Sequence, residues 1–129
     1  MKTVLFACVH NAGRSQMAAA FFNTLARQKG ARAISAGTKP AKSVHPVVIQ
    51  VMLEVGIDLG ACQPQLLTSE LAGKAQVLVT MGCGEQCPYV PGVRVVDWQV
   101  ADPKGQPLQR VREIRDEIQE RVRMLLTMI

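Results

Sequence analysis

The sequence predicts an α/β domain, a four-stranded parallel sheet with helices on both faces. Three observations carry this reading. TVLFA (residues 3–7) and AQVLVTM (75–81) are almost continuous apolar runs, as suits strands buried on both faces. Segments with apolar residues at helical spacing alternate with the strand segments. Parallel neighbours need crossover connections, and those helical segments supply them.

Each element has its own local reason. After the first strand, Ser15 to Lys29 carries Met17, Phe21, Phe22 and Leu25 on one helical face, and Gly30 provides a stop. ARAISAG (31–37) is the second strand. Pro46 suits the first turn of a helix whose apolar side is Val47, Val48, Val51, Met52 and Val55, with Gly56 ending it. GACQPQLL (60–67) is irregular, and TSELAG (68–73) reads as a short helix capped by Thr68 or Ser69. AQVLVTM is the third strand and VRVVDW (93–98) the fourth. From Pro107, Leu108, Val111, Ile114, Ile118, Val122, Leu125 and Ile129 mark one long amphipathic helix.

The 129 residues suit a single domain, 1–129, able to bury a core without staples. Hydrophobic residues make up 48% and charged residues 19%, an ordinary globular balance. No apolar stretch approaches the roughly 20 residues that span a bilayer, so no membrane association is expected. A cytoplasmic monomer is the expectation. The net charge of +5 favours anionic ligands. Aromatics are only 4% and do not interleave with basic clusters, which argues against nucleic acid. Arg110, Arg112, Arg115, Arg121 and Arg123 alternate with acidic residues and read as a solvated helix face.

Open parallel sheets bind ligands beyond the carboxyl ends of their strands. Cys8 follows strand one, Cys83 and Cys87 follow strand three, and Asp102 follows strand four, so all four should gather at one edge. There, CVHNAGRS (8–15) joins a strand to a helix. Such a loop presents unpaired N–H groups and the positive end of the helix dipole. Val9, His10, Asn11, Ala12, Gly13, Arg14 and Ser15 are therefore the candidate oxyanion-binding residues. Gly13 permits close approach, and Arg14 adds a planar, permanently charged fork. The same positive field favours a thiolate at Cys8, to which Ser15 could donate while Asn11 braces the loop.

Walker-type nucleotide binding is disfavoured because GxxxxGK[ST] is absent. The bland alternative is a buried strand-end cysteine beside a capping serine. Asp102, in an Asp-Pro turn, is the candidate general acid. Cys83 and Cys87, in CGEQC, can form a transient disulfide. Half a zinc site is the weaker reading, because only His10, His45 and Cys62 remain as further ligands and no metal is expected. His45 reads as a helix-start residue, and Cys62 as structural or incidental.

With CVHNAGRSQMA, ISAGT, MGCGEQCP and DWQVADP in view, the chain resembles the arsenate reductases of the low-molecular-weight phosphotyrosine phosphatase superfamily along nearly its full length. The resemblance implies that Cys8 attacks arsenate held by the loop amides and Arg14, while Asp102 protonates the departing oxygen. Cys83 then attacks Cys8, and Cys87 resolves the resulting disulfide. No bound cofactor is implied, but an external thiol reductant is: thioredoxin, or a low-molecular-weight thiol such as mycothiol.

Three departures from the family pattern stand out. The cysteine pair is more closely spaced than in the best-described thioredoxin-coupled members, which keeps the low-molecular-weight thiol in play. Ala19 stands where some members carry a glutamate associated with potassium binding, which argues against that ion. Gly13 replaces a cysteine often found inside the loop. A phosphatase of phosphotyrosine or small esters is the alternative enzyme, favoured if Tyr89 or Trp98 walls the loop. A non-catalytic oxyanion or arsenite sensor is the alternative outside enzymes.

Overall fold

The computed structural model describes residues 2–27, 29–82 and 91–129. Strands β1 (Lys2–Cys8), β2 (Ala31–Gly37), β3 (Val77–Thr80) and β4 (Arg94–Asp97) form one sheet in the order β2-β1-β3-β4. Every pairing is parallel, with Phe6 set between Ser35 and Val79. Helices α1 (Arg14–Leu25), α2 (Pro46–Leu53), α3 (Ser69–Gly73) and α4 (Leu108–Met128) connect and cover it. The α/β class and the helices on both faces are as the alternating pattern predicted.

The two faces are unequal. Val4, Phe6 and Cys8 point from β1 into the larger core, shared with α1, α2 and α4. Leu5 and Ala7 point the other way, into a smaller cluster with Leu67, Ala72 and Ala75 around α3. Period-2 alternation of a strand buried on both faces explains why Val4 to Ala7 is an unbroken apolar run. Phe6 packs edge-on against Phe22, with ring centroids 5.9 Å apart, and lies 5.6 Å from Trp98.

Local signals held at most ends. Thr68 caps α3, its Oγ1 accepting from Leu71 N–H at 3.1 Å. Behind α2, Gly56 adopts φ +82°, and Gly56 and Ile57 donate to Leu53 and Met52 carbonyls. That left-handed cap is why the helix stops there. Helix α1 is shorter than the predicted 15–29 and ends at Leu25. Ala26 makes the last helical bond, Lys29 closes a turn on Ala26, and Gly30 at φ +66° swings the chain into β2.

The arginines of α4 are a second correction. Arg115 is buried rather than solvated, donating to Val51 O at 3.0 Å and Glu54 Oε1 at 2.8 Å. Arg112 forks onto the same carboxylate, at 3.0 and 2.8 Å. Together they tie α4 to the end of α2, and these hydrogen bonds hold the Glu54 carboxyl below its ordinary range, Arg112 contributing most.

Candidate active site

Residues 9–13 join the end of β1 to the start of α1, and every carbonyl from Cys8 to Gly13 already has a donor. Thr38, Lys39, Ala41 and His45 N–H groups bond Cys8, Val9, His10 and Ala12 oxygens at 3.2, 2.8, 2.9 and 3.0 Å. Asn11 O takes Gln16 Nε2 at 3.0 Å, and Gly13 O takes Met17 N–H at 3.0 Å. A trans peptide points its N–H opposite to its carbonyl. With the carbonyls tied outward to the 38–45 segment and to α1, the N–H groups from Val9 to Arg14 are turned the other way. Among the described residues they have no protein acceptor. N–H groups arranged this way at a helix N-terminus can hold an oxyanion.

Asn11 is the hub of the loop. It is fully buried and adopts φ +51°, a left-handed conformation that asparagine tolerates better than most residues. The backbone N–H of Gln65 donates to Asn11 Oδ1 at 3.0 Å, which fixes the orientation of the amide. Its Nδ2 therefore donates to Ser15 Oγ at 2.7 Å. Ser15 Oγ lies 2.9 Å from Cys8 Sγ, where either group can donate, and the hydroxyl would be the donor to a thiolate. Cys8 and Ser15 are both buried, so this hydrogen-bonded chain is shielded from water.

Arg14 opens α1, and its guanidinium is held from β4's following segment. Nη1 donates to Val100 O at 3.1 Å, and Nη2 lies 3.7 Å from Asp102 Oδ2. The arginine side chain is 11% exposed and the aspartate 48%, so the carboxyl stands at the solvent side of a sheltered cation. Asp102 Oδ1 accepts from Lys104 N–H at 3.0 Å, which fixes the turn. Pro103 lies over Gly13, where an added Cβ would sit 2.9 Å from its ring. Of the four residues expected to gather at one sheet edge, Cys8 ends β1 and Asp102 follows β4 at the same edge of the parallel sheet. Cys83, Cys87 and Tyr89 lie outside the described residues.

His10 lines the loop, its Nδ1 3.1 Å from Lys39 O. His45 starts α2 as expected but also rests its ring near Gly13. Burial pushes its pKa below the ordinary 6.5, with Lys104 and His10 adding to the shift and Asp102 opposing it. Cys62 is exposed. Trp98 is buried in the core against Phe6, so it offers no wall to an aromatic substrate.

Four contributors escaped the sequence reading: Gln16, Gln65, Val100 and Gly82. Gly82 adopts φ +87°, and a Cβ there would lie 2.7 Å from Arg14 Nη1. A glycine directly after an apolar strand was the one visible signal for it. Gln65 and Val100 act from far along the sequence and have no local signature, whereas Gln16 directly follows Ser15.

The profile of the family described as low molecular weight phosphotyrosine protein phosphatase matches residues 3–129. A glutaredoxin arsenate reductase of Synechocystis is 38% identical, covering 100% of this chain and 99% of its own. A solved thioredoxin-dependent arsenate reductase of Corynebacterium glutamicum superposes with a TM-score of 0.85 at 37% identity. That match covers 98% of this chain and 61% of the longer Corynebacterium chain. An arsenate reductase solved in a phosphate-binding state gives a TM-score of 0.86 at 36% identity, covering 100% of this chain and 99% of its own. The chain belongs to the low molecular weight phosphotyrosine protein phosphatase family and, within it, to the arsenate reductases.

Proposed function

We propose that this protein reduces arsenate to arsenite through a thiol–disulfide relay begun at Cys8. The observation that carries the reading is the Asn11–Ser15–Cys8 hydrogen-bonded chain beneath a ring of inward N–H groups, with Arg14 at the helix end of the loop. Arsenate is a tetrahedral oxyanion, and this nest supplies backbone donors and a planar cation to its oxygens. The Cys8 thiolate attacks arsenic and forms a sulfur–arsenic bond. An arsenic–oxygen bond breaks, and Asp102 gives the departing oxygen its proton.

Cys83 then attacks Cys8 sulfur. The electron pair of the sulfur–arsenic bond passes to arsenic, which leaves as arsenite, and a Cys8–Cys83 disulfide remains. Cys87 attacks Cys83, releasing the Cys8 thiolate and moving the disulfide outward. An external dithiol or low-molecular-weight thiol returns the two electrons. The names of the relatives support a thioredoxin- or glutaredoxin-type donor, and the short Cys83–Cys87 spacing keeps a small thiol such as mycothiol as the other candidate.

Cys87→Ser tests the relay. It retains the whole oxyanion loop, Asp102 and Cys83, so the mutant should release about one arsenite per enzyme and stall as a Cys8–Cys83 disulfide. Rapid-quench arsenite counts and mass mapping of the disulfide read both. Sustained turnover by Cys87→Ser would sink the three-cysteine relay in favour of direct resolution by a small thiol. The phosphatase alternative predicts no arsenite at all, and burial of Trp98 removes one of the two aromatic walls it could have used.

A further inference from the structure

The oxygens that shape the oxyanion loop are held by side-chain amides. Gln16, on the first turn of α1, is buried, and its Nε2 meets three oxygens: Asn11 O at 3.0 Å, Asn11 Oδ1 at 3.2 Å and Gln63 O at 3.3 Å. Gln65 adds its backbone N–H to Asn11 Oδ1 at 3.0 Å and its Nε2 to Ser35 O at 2.8 Å. Asn11 Oδ1 thus has both lone pairs engaged. A cleft of about 190 Å³ borders the cluster, taking in Gln16, Ala19, Ser35 and Cys62, and its lining holds no carboxylate.

An alkali cation at this place would need what the residues do not offer. Hard cations take oxygen ligands whose free lone pairs point at the ion, and a nearby carboxylate strengthens such a site. Here the converging oxygens surround the Gln16 NH2 group, whose hydrogens carry partial positive charge and repel a cation. Ala19 is the residue at which some family members carry a glutamate associated with potassium, and it contributes only a methyl group to the cleft. Displacing Gln16 to admit an ion would strand a buried amide without partners. The donor set does not fit potassium.

We propose that Gln16 and Gln65 are positioning residues that hold the Asn11 turn, and through it Ser15 and Cys8, so that the loop is set without a bound alkali cation. The inference deepens the arsenate reductase reading and rests on it for its kinetic arm only, because the melting arm needs no activity.

The test compares KCl, NaCl and tetramethylammonium chloride at equal ionic strength. The wild-type protein should melt at the same temperature in all three and show the same KM for arsenate. A ligand bound only by the folded state raises the melting temperature as its concentration rises. A saturable, potassium-specific rise in the wild type would therefore overturn the proposal whether or not arsenate is the substrate. Gln16→Ala should raise KM for arsenate about tenfold with a much smaller change in kcat, because the turn that aims the N–H groups is loosened, and potassium should not restore it. Unchanged KM in Gln16→Ala would equally overturn the role of the amide. Ala19→Glu places a carboxylate at the cleft, and a gain of potassium-dependent melting in that variant supports the charge argument. Absence of arsenite production by the wild type, with melting flat in all three salts, would remove the substrate reading and leave the cation reading standing.

Discussion

Ser15 does two jobs with one hydroxyl, accepting from Asn11 Nδ2 and facing Cys8 Sγ at 2.9 Å. Ser15→Ala removes the donor to the sulfur and leaves a buried Asn11 N–H without a partner. A hydrogen bond to a charged group is worth about 1.5–3 kcal/mol, so kcat/KM for arsenate should fall roughly ten- to hundredfold. Steady-state kinetics with a saturating thiol reductant read this, and near-normal efficiency would place the Cys8 anion under another donor. Gly82 is the second residue-scale test. In Gly82→Ala the left-handed φ of +87° costs about 1–2 kcal/mol, and the new methyl meets Arg14 Nη1. KM for arsenate should rise and the urea midpoint should fall together. A change in stability without a change in KM would mean that Arg14 is not held where substrate binds.

At the scale of elements, the joint between α2 and α4 is polar where a sequence reading sees a solvated face. Arg115 is buried and spans Val51 O and Glu54, while Arg112 forks onto Glu54 from the surface. Arg115→Met keeps the length of the side chain but leaves Val51 O and Glu54 short of donors. It should cost about 1–2 kcal/mol in urea unfolding while kcat is retained, since α4 contributes nothing to the sulfur chain. The same joint sets an acid limb. Because its hydrogen bonds to the two arginines lower the Glu54 pKa from 4.5 in the folded state, this stabilisation is present above pH 4.5. It is lost as pH falls through the lowered folded value. Glu54→Gln should therefore flatten the fall of stability with acid, measured as unfolding midpoints across that range. An unaltered acid limb would show that the carboxylate adds nothing there.

At the scale of the whole molecule, β1 is one direct link between the site and the core. Phe6 precedes Cys8 by two residues on the same face of β1 and packs against Phe22 and Trp98. Phe6→Ala should cost about 3–5 kcal/mol, a large share of the 5–15 kcal/mol that holds a typical domain. Trp98 is the only tryptophan, so its fluorescence reports the core directly. In a two-state domain that signal and the burial of the Cys8 thiol should be lost at the same urea concentration. Separate midpoints would show that the oxyanion loop opens independently of the sheet.

Much of this was legible from residue order alone. Period and composition distinguish a strand buried on two faces from a helix, so TVLFA and the apolar series of α4 declare themselves locally. Caps are equally local, as Thr68 and Gly56 show. The oxyanion loop was readable because its chemistry lies within eight consecutive residues, Cys8 to Ser15. What the tertiary structure decided are the partners that approach from far along the chain. Val100 and Asp102 hold Arg14 from behind β4, the backbone of residues 38–45 turns the loop carbonyls outward, and Gln65 orients Asn11. It also decided that Arg115 is a clamp and that Trp98 belongs to the core. A side chain's pattern shows which face it prefers, but a hydrogen bond across the fold is set by where two backbones pass, and that depends on the packing of the whole sheet.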